Sequence, residues 1–201
     1  VCWNEMNVND ELTLRCADPE LRGFEDRLRR ELFQWRHFPG DMVVDPYIHV
    51  SKAIHNTGFG VRVQERVAVT DPTSGVVGHK YTNQFETEED LEKIQIPRLT
   101  HDETETARRL DFAHELFDGI IDVRLWGVDA YLSLWDPIST WMSVESALLA
   151  IVDRPDYVHR LVGRMTDGYM AMFDQAEAEG LLCGPQNWVH CTGAFTDELP
   201  A

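Results

Sequence analysis

Short apolar runs set between long amphipathic stretches narrow most sharply what this chain can fold into. Three such runs stand out: Asp41-Met42-Val43-Val44-Asp45-Pro46-Tyr47, Ile121-Asp122-Val123-Arg124-Leu125-Trp126-Gly127 and Asn187 to Thr192. More than a dozen residues separate each from the next, so they are joined by crossovers and not by tight turns, which implies parallel βα units. The first run ends in a carboxylate and a proline, as a buried parallel strand with polar residues at its C-terminal end does. Only three core strands fit into 201 residues. An eight-fold barrel typically needs about 250 residues. The expectation is therefore a single domain over residues 1–201, either a small open α/β domain or the first part of a barrel.

The intervening stretches carry helix signals. Asp18-Pro19 is a start, with Asp capping exposed N–H groups and Pro suited to the first helical position. Leu21, Phe24, Leu28, Leu32 and Trp35 then recur at spacings of three and four until Pro39-Gly40. Thr87 with Asp90 three residues on is close to a capping box. A helix is expected over about 101–117, another from Pro137 to Leu149, and a long one from Arg154-Pro155-Asp156 to Glu179, stopped by Gly180. Residues 60–85 differ. Val61, Val63, Val67 and Val69 alternate with polar residues, Asp71-Pro72-Thr73-Ser74-Gly75 is turn chemistry, and Val76 to Tyr81 follows. This predicts an inserted β-hairpin with one face wet.

Composition excludes several function classes. At 43% hydrophobic residues the chain can bury a core, which argues against disorder. It holds no run of some 18 apolar residues for a membrane span and no visible signal peptide, so a cytoplasmic protein is expected. Eighteen Lys and Arg against 35 Asp and Glu give a net charge of −17. A nucleic-acid partner calls for a clustered basic face, whereas the densest basic stretch, Arg22 to Arg36, is interleaved with Glu25, Asp26 and Glu31. Cys2, Cys16, Cys183 and Cys191 form no short CxxC, and four reduced thiols are expected. The absence of an initial Met and the abrupt stop after Ala201 suggest a segment of a longer protein.

Several pieces taken together resemble the uroporphyrinogen decarboxylase-like superfamily. They are Trp3-Asn4-Glu5-Met6-Asn7, the Leu28 to Trp35 stretch running into Asp41–Tyr47, Leu134-Trp135-Asp136-Pro137-Ile138, Arg154 to Leu161, Met165-Thr166-Asp167-Gly168, and Gly193 to Pro200. The resemblance covers most of the chain except the 60–85 hairpin. It implies the N-terminal portion of a (β/α)8 TIM-type barrel, with strands one to three here and the others beyond Ala201. Members of that superfamily include a cofactor-free decarboxylase of haem biosynthesis and zinc-dependent methyltransferases that move methyl groups between a corrinoid and a thiol. The decarboxylase's arginine-rich opening has no counterpart here; Trp3–Asn7 stands in its place. A substrate ringed with carboxylates needs cationic donors, so the resemblance leans to the methyltransferase branch. It implies a methyltransferase acting on a small-molecule substrate with a corrinoid partner protein, and a homodimer. The alternatives are a carboxy-lyase acting on a porphyrinogen or other polycarboxylate without a cofactor, and a non-catalytic tetrapyrrole-binding or assembly fragment.

In such a barrel the polar residues just past the strand ends are the site candidates. After the first strand these are Asp45, Tyr47 and His49. Asp45 serves either to orient a substrate or imidazole or to cap a turn, and His49 is either a pocket or a structural histidine. After the second come Trp126 and Asp129, with Trp126 able either to stack on an aromatic or corrinoid group or to pack under the next helix. After the third, His190 and Thr192 are two apart and so share one strand face; His190 is the leading proton donor or acceptor, and Asp197 serves either general acid–base work or the start of another helix before Leu199-Pro200. Trp3 and Glu5, in a polar-aromatic segment, either reach the pocket rim or belong to an exposed terminus. Zinc in this superfamily takes a His-x-Cys and a later Cys. His190 and Cys191 are adjacent and point to opposite faces of a strand, so any zinc site is expected from residues beyond this chain.

Overall fold

The computed structural model describes residues 3–38, 40, 42, 44–69 and 77–184. The chain divides into two compact units: Val1–Asp45, Val69–Val77 and Asn187–Ala201 in one, Pro46–Ala68 and Gly78–Gln186 in the other.

In the first unit, helix α1 spans Pro19–His37, and Asp18 caps it by accepting from the N–H groups of Glu20 and Leu21. The sequence signals at Asp18-Pro19 place this start correctly. Glu25 of α1 accepts from the N–H groups of Arg15 and Cys16 at 2.8–2.9 Å, tying the preceding segment onto the helix. Phe33 is the buried residue of α1, and the ring of Trp3 meets it edge-on at 6.3 Å.

The second unit begins with β1 (Tyr47–Ser51) and β2 (Ile54–Asn56). Next come β3 (Glu65–Val69) and β4 (Val77–Tyr81), a short 3-10 helix at Glu88–Lys93, and β5 (Leu99–His101). Helix α2 (Glu103–Phe117) leads to β6 (Asp122–Trp126), followed by α3 (Trp135–Met142), α4 (Val144–Asp153) and α5 (Pro155–Ala178). The predicted hairpin is present as the β3–β4 pair, with Thr82 N–H bonded to Gln64 C=O. Every residue of β3 is exposed, so this ribbon is wet on both faces. The helix expected over Pro137–Leu149 is two helices, broken at Ser143, whose φ of 68° lies in the left-handed region. Its Oγ caps α4 by accepting from Ser146 N–H.

The (β/α)8 TIM-type barrel is not what the chain builds. Among the described residues, six strands form three separate two-stranded sheets, β1 with β6, β2 with β5 and β3 with β4, and no barrel closes. Closure requires every strand to be bonded on both sides, and among the described residues β1 has β6 alone. One βα crossover is real: β1 and β6 run parallel, Tyr47 opposite Asp122 through Ser51 opposite Trp126, and α2 packs on both. A second parallel element is the single bridge between Val128 and Leu182. The strand expected over 187–192 lies outside the described residues.

Helix α5 organises the core. Its buried residues Tyr157, Leu161, Met165, Gly168, Met172 and Ala176 recur at three and four, one continuous stripe. The first half packs with Phe85, Leu91, Ile94, Ile138, Trp141 and Met142, the second with Leu99 and Leu181. Gly168 is required there, since a Cβ would stand 2.6 Å from the Phe59 ring. The 3-10 helix is fastened to α5 by Glu88–Arg160 at 2.7 Å and Glu92–Arg164 at 2.5 Å. Its own start follows the sequence signal: the Asp90 carboxylate accepts from the N–H groups of Glu86 and Thr87. The Lys93 ammonium, 2.7 Å away, and then these bonds hold that carboxyl well below the usual carboxylate range.

Candidate functional site

The first strand is displaced from its predicted place, and this decides the site. Pro46 cannot donate to a ladder, and the alternation Tyr47-Ile48-His49-Val50-Ser51 has the period of two that a half-buried strand requires. Ile48 and Val50 are 3% and 5% exposed, whereas Tyr47 and His49 are half-buried. Asp45 therefore precedes β1 instead of ending it. It belongs to the other compact unit, where its charge raises the carboxyl of Glu31, a shift due first to burial.

On β6 the same alternation puts Asp122, Arg124 and Trp126 on one side. In the parallel register Tyr47 faces Asp122, His49 faces Arg124 and Ser51 faces Trp126. These six residues make one face of the β1–β6 pair. The opposite face carries Ile48, Val50, Val123 and the exposed Leu125, and α2 packs on both strands. Across the polar face the rings form a row. Tyr47 and His49 are 4.9 Å apart between centroids, and His49 and Trp126 are 4.0 Å apart, tilted by 34°. The Arg124 guanidinium lies 3.8 Å from the Tyr47 ring centroid, and its Nε donates to Asp122 at 3.0 Å. Arginine spreads its charge over a plane and pairs with aromatic faces, so the row ends in a cation over the Tyr47 ring.

Three of the predicted residues, Tyr47, His49 and Trp126, thus sit side by side. Arg124, Asp122 and Ser51 on the same face were missed. The signal was in the sequence, since alternation from Tyr47 and from Asp122 selects all six. It was obscured by ending the first strand at Tyr47. Trp3 and Glu5 lie in the other unit, where Trp3 packs on Phe33 with the Arg30 guanidinium 5.2 Å from its ring centroid. His190, Cys191, Thr192 and Asp197 lie outside the described residues.

Beyond β6 the backbone passes close to a distant segment. A Cβ on Gly127 would stand 1.9 Å from Leu181 O, so only glycine lets the segment after β6 lie against residues 181–183. There Val128 N–H donates to Leu181 O at 2.7 Å, and Cys183 N–H donates to Val128 O at 2.9 Å. This brings Asp129 to Cys183. Burial pushes the Cys183 thiol up, and the Asp129 carboxylate reinforces the shift. Such a thiol stays protonated, which makes it a poor nucleophile or metal ligand. One Asp129 carboxylate oxygen is buried with no hydrogen-bond partner among the described residues.

The face can therefore offer a π-surface for stacking, an imidazole able to donate and accept a proton, and one cation–carboxylate pair. Among the described residues no group of three His, Cys, Asp or Glu could hold a metal ion, so those residues do not fit a zinc centre. No helix among them is long and apolar enough to cross a membrane. No protein-family model matches the chain, and neither the curated proteins nor the solved structures contain a match to it.

Proposed function

We propose that the β1–β6 face binds a planar, conjugated, carboxylate-bearing ligand of the tetrapyrrole class, and that the protein is a methyltransferase working with a corrinoid partner. The observation that supports this most is the Tyr47–His49–Trp126 row with Arg124 stacked at its end. Flat aromatic side chains at stacking distance suit a macrocycle better than a small aliphatic substrate. The resemblance of the Trp3–Asn7, Leu28–Tyr47 and Arg154–Leu161 stretches to the uroporphyrinogen decarboxylase-like superfamily points to the same ligand class. On this reading His49 lies against the ligand and handles a proton, Trp126 is the stacking platform, and Arg124 meets a carboxylate or amide at the periphery.

Arg124 also favours a second reading, cofactor-free decarboxylation of a porphyrinogen. A guanidinium can pair bidentately with a substrate carboxylate, at the cost of its bond to Asp122.

The test is titration with hydroxocobalamin and, separately, uroporphyrin, followed by tryptophan quenching. Under the methyltransferase reading hydroxocobalamin binds, and Trp126→Ala weakens it by about tenfold, the loss of one stacked ring. Under the decarboxylase reading uroporphyrin binds and Arg124→Gln abolishes it. Failure of both ligands to bind the folded chain, or binding unchanged in Trp126→Ala and Arg124→Gln, refutes the assignment of this face.

A further inference from the structure

The β3–β4 ribbon gathers two cations on one face and leaves an edge open. Thr82 N–H donates to Gln64 C=O at 2.8 Å, and a Cβ on Gly78 would stand 3.8 Å from the Ala68 Cβ. With Gln64 opposite Thr82 and Ala68 opposite Gly78, Arg66 stands opposite Lys80 on the same face. The Gln84 side chain donates to Arg62 C=O at 3.0 Å, so the pairing runs on towards Arg62, just before β3. Among the described residues Arg66 and Lys80 have no carboxylate partner, whereas Arg160 and Arg164 hold Glu88 and Glu92. The other face carries Val63 and Val67, 44% and 51% exposed. There Glu65 is bonded to His79 at 2.7 Å, and Tyr81 stacks on His79 at 5.8 Å between centroids. Gln64 turns its carbonyl to β4, so by alternation Glu65 and Val67 turn their N–H and C=O groups away from it. Among the described residues β3 pairs with β4 alone.

We infer that the outer edge of β3 takes up an extended segment of a partner protein in which acidic and apolar residues alternate. Such a segment adds a third strand: its backbone pairs with the open N–H and C=O groups of β3, and its side chains supply specificity. Successive residues of a strand point to opposite faces. Its acidic side chains therefore fall on the Arg66–Lys80 face and its apolar ones beside Val63 and Val67. Two cations opposed across a ribbon repel each other, and an incoming carboxylate supplies the missing counter-charge. The same features disfavour other occupants. A second copy pairing edge to edge would add two more cations to that face, and a nucleic acid has no amide backbone to pair with the open edge. The net charge of −17 opposes any anion at long range, so binding rests on the local cations and the backbone bonds together. This inference is independent of the ligand proposed for the β1–β6 face.

Fluorescence anisotropy of a short labelled peptide of alternating Glu and Val, titrated with the 201-residue chain, tests it. The peptide is expected to bind. Arg66→Glu should weaken binding about tenfold with unchanged circular dichroism, since an attractive cross-strand pair becomes a repelling one. Arg98→Glu, the same charge change at an exposed site outside the ribbon, should alter it little. The Arg66→Glu/Lys80→Glu double variant should instead bind a peptide of alternating Lys and Val. Methylating alternate amide nitrogens of the Glu–Val peptide should abolish binding, because the added strand loses its donors. No binding by the wild-type chain overturns the inference. So does binding indifferent to Arg66→Glu or to amide methylation, and so does a folded double variant that ignores the Lys–Val peptide. Binding of labelled oligothymidylate in place of the peptide overturns it as well.

Discussion

Replacing Gly127 by alanine tests how the end of β6 is held. The methyl group would lie 1.9 Å from Leu181 O and 2.8 Å from the carbonyl carbons of Leu181 and Leu182. Backbone atoms cannot rotate away as a side chain can, so the two segments must separate. That breaks the Val128–Leu181 and Cys183–Val128 hydrogen bonds, of 2.7 and 2.9 Å. Each is worth about 1 kcal/mol, and a buried group left without a partner costs about 1–3 kcal/mol more. Leu181, only 1% exposed, would also be pulled from its packing. We expect Gly127→Ala to destabilise by about 3–5 kcal/mol, a large fraction of the roughly 5–15 kcal/mol of a whole domain. Urea denaturation followed by far-UV circular dichroism measures it. Gly163→Ala is the control, because a Cβ there meets nothing within 4 Å in the middle of α5. It should stabilise by about 0.5–1 kcal/mol through helix propensity. A loss below about 1 kcal/mol for Gly127→Ala would refute the close-approach argument and the size of the penalty assigned to unpaired backbone groups.

Three further outcomes follow from the packing and the charges. The Tyr157 hydroxyl is buried without a hydrogen-bond partner among the described residues, and burial pushes its pKa up to about 12. Tyr157→Phe should therefore be neutral or stabilising by up to about 1 kcal/mol in thermal unfolding, and a clear loss would reveal a bonded hydroxyl. Gly168→Ala should cost about 1–3 kcal/mol by overpacking against Phe59, and Phe59→Leu should recover part of it in a double-mutant cycle. The Glu25 carboxyl is lowered from 4.5 to about 2, chiefly by the N–H of Cys16 and also by that of Arg15. A depressed folded pKa stabilises above the unfolded value, so this contribution is full above about pH 4.5 and lost as pH falls towards 2. Melting temperature against pH should fall across that window, and less steeply in Glu25→Gln; identical slopes would show that the carboxylate does not hold the segment.

Local chemistry was legible in the sequence wherever neighbours in the chain settle it. Asp18-Pro19 started α1, Thr87 and Asp90 started the 3-10 helix, and Gly180 closed the α5 region with a φ of 63°. The spacing from Tyr157 to Ala176 made α5 one long helix with a single buried face. Tyr47 and His49 past the first expected strand, and Trp126 past the second, were singled out separately as polar and aromatic residues near strand ends.

Pairing was settled only in three dimensions. Period-two alternation states that a residue faces one side of a strand, but not which strand lies beside it or whether a sheet continues. Thus Arg124 joined Tyr47 and His49 only once β1 was registered against β6, and the barrel gave way to three two-stranded sheets. The need for glycine at position 127 is likewise invisible locally, because it arises from a backbone that returns more than fifty residues later. Sequence alone determines what a segment can be when its stabilising contacts lie within a few residues; contacts between distant segments decide what it faces.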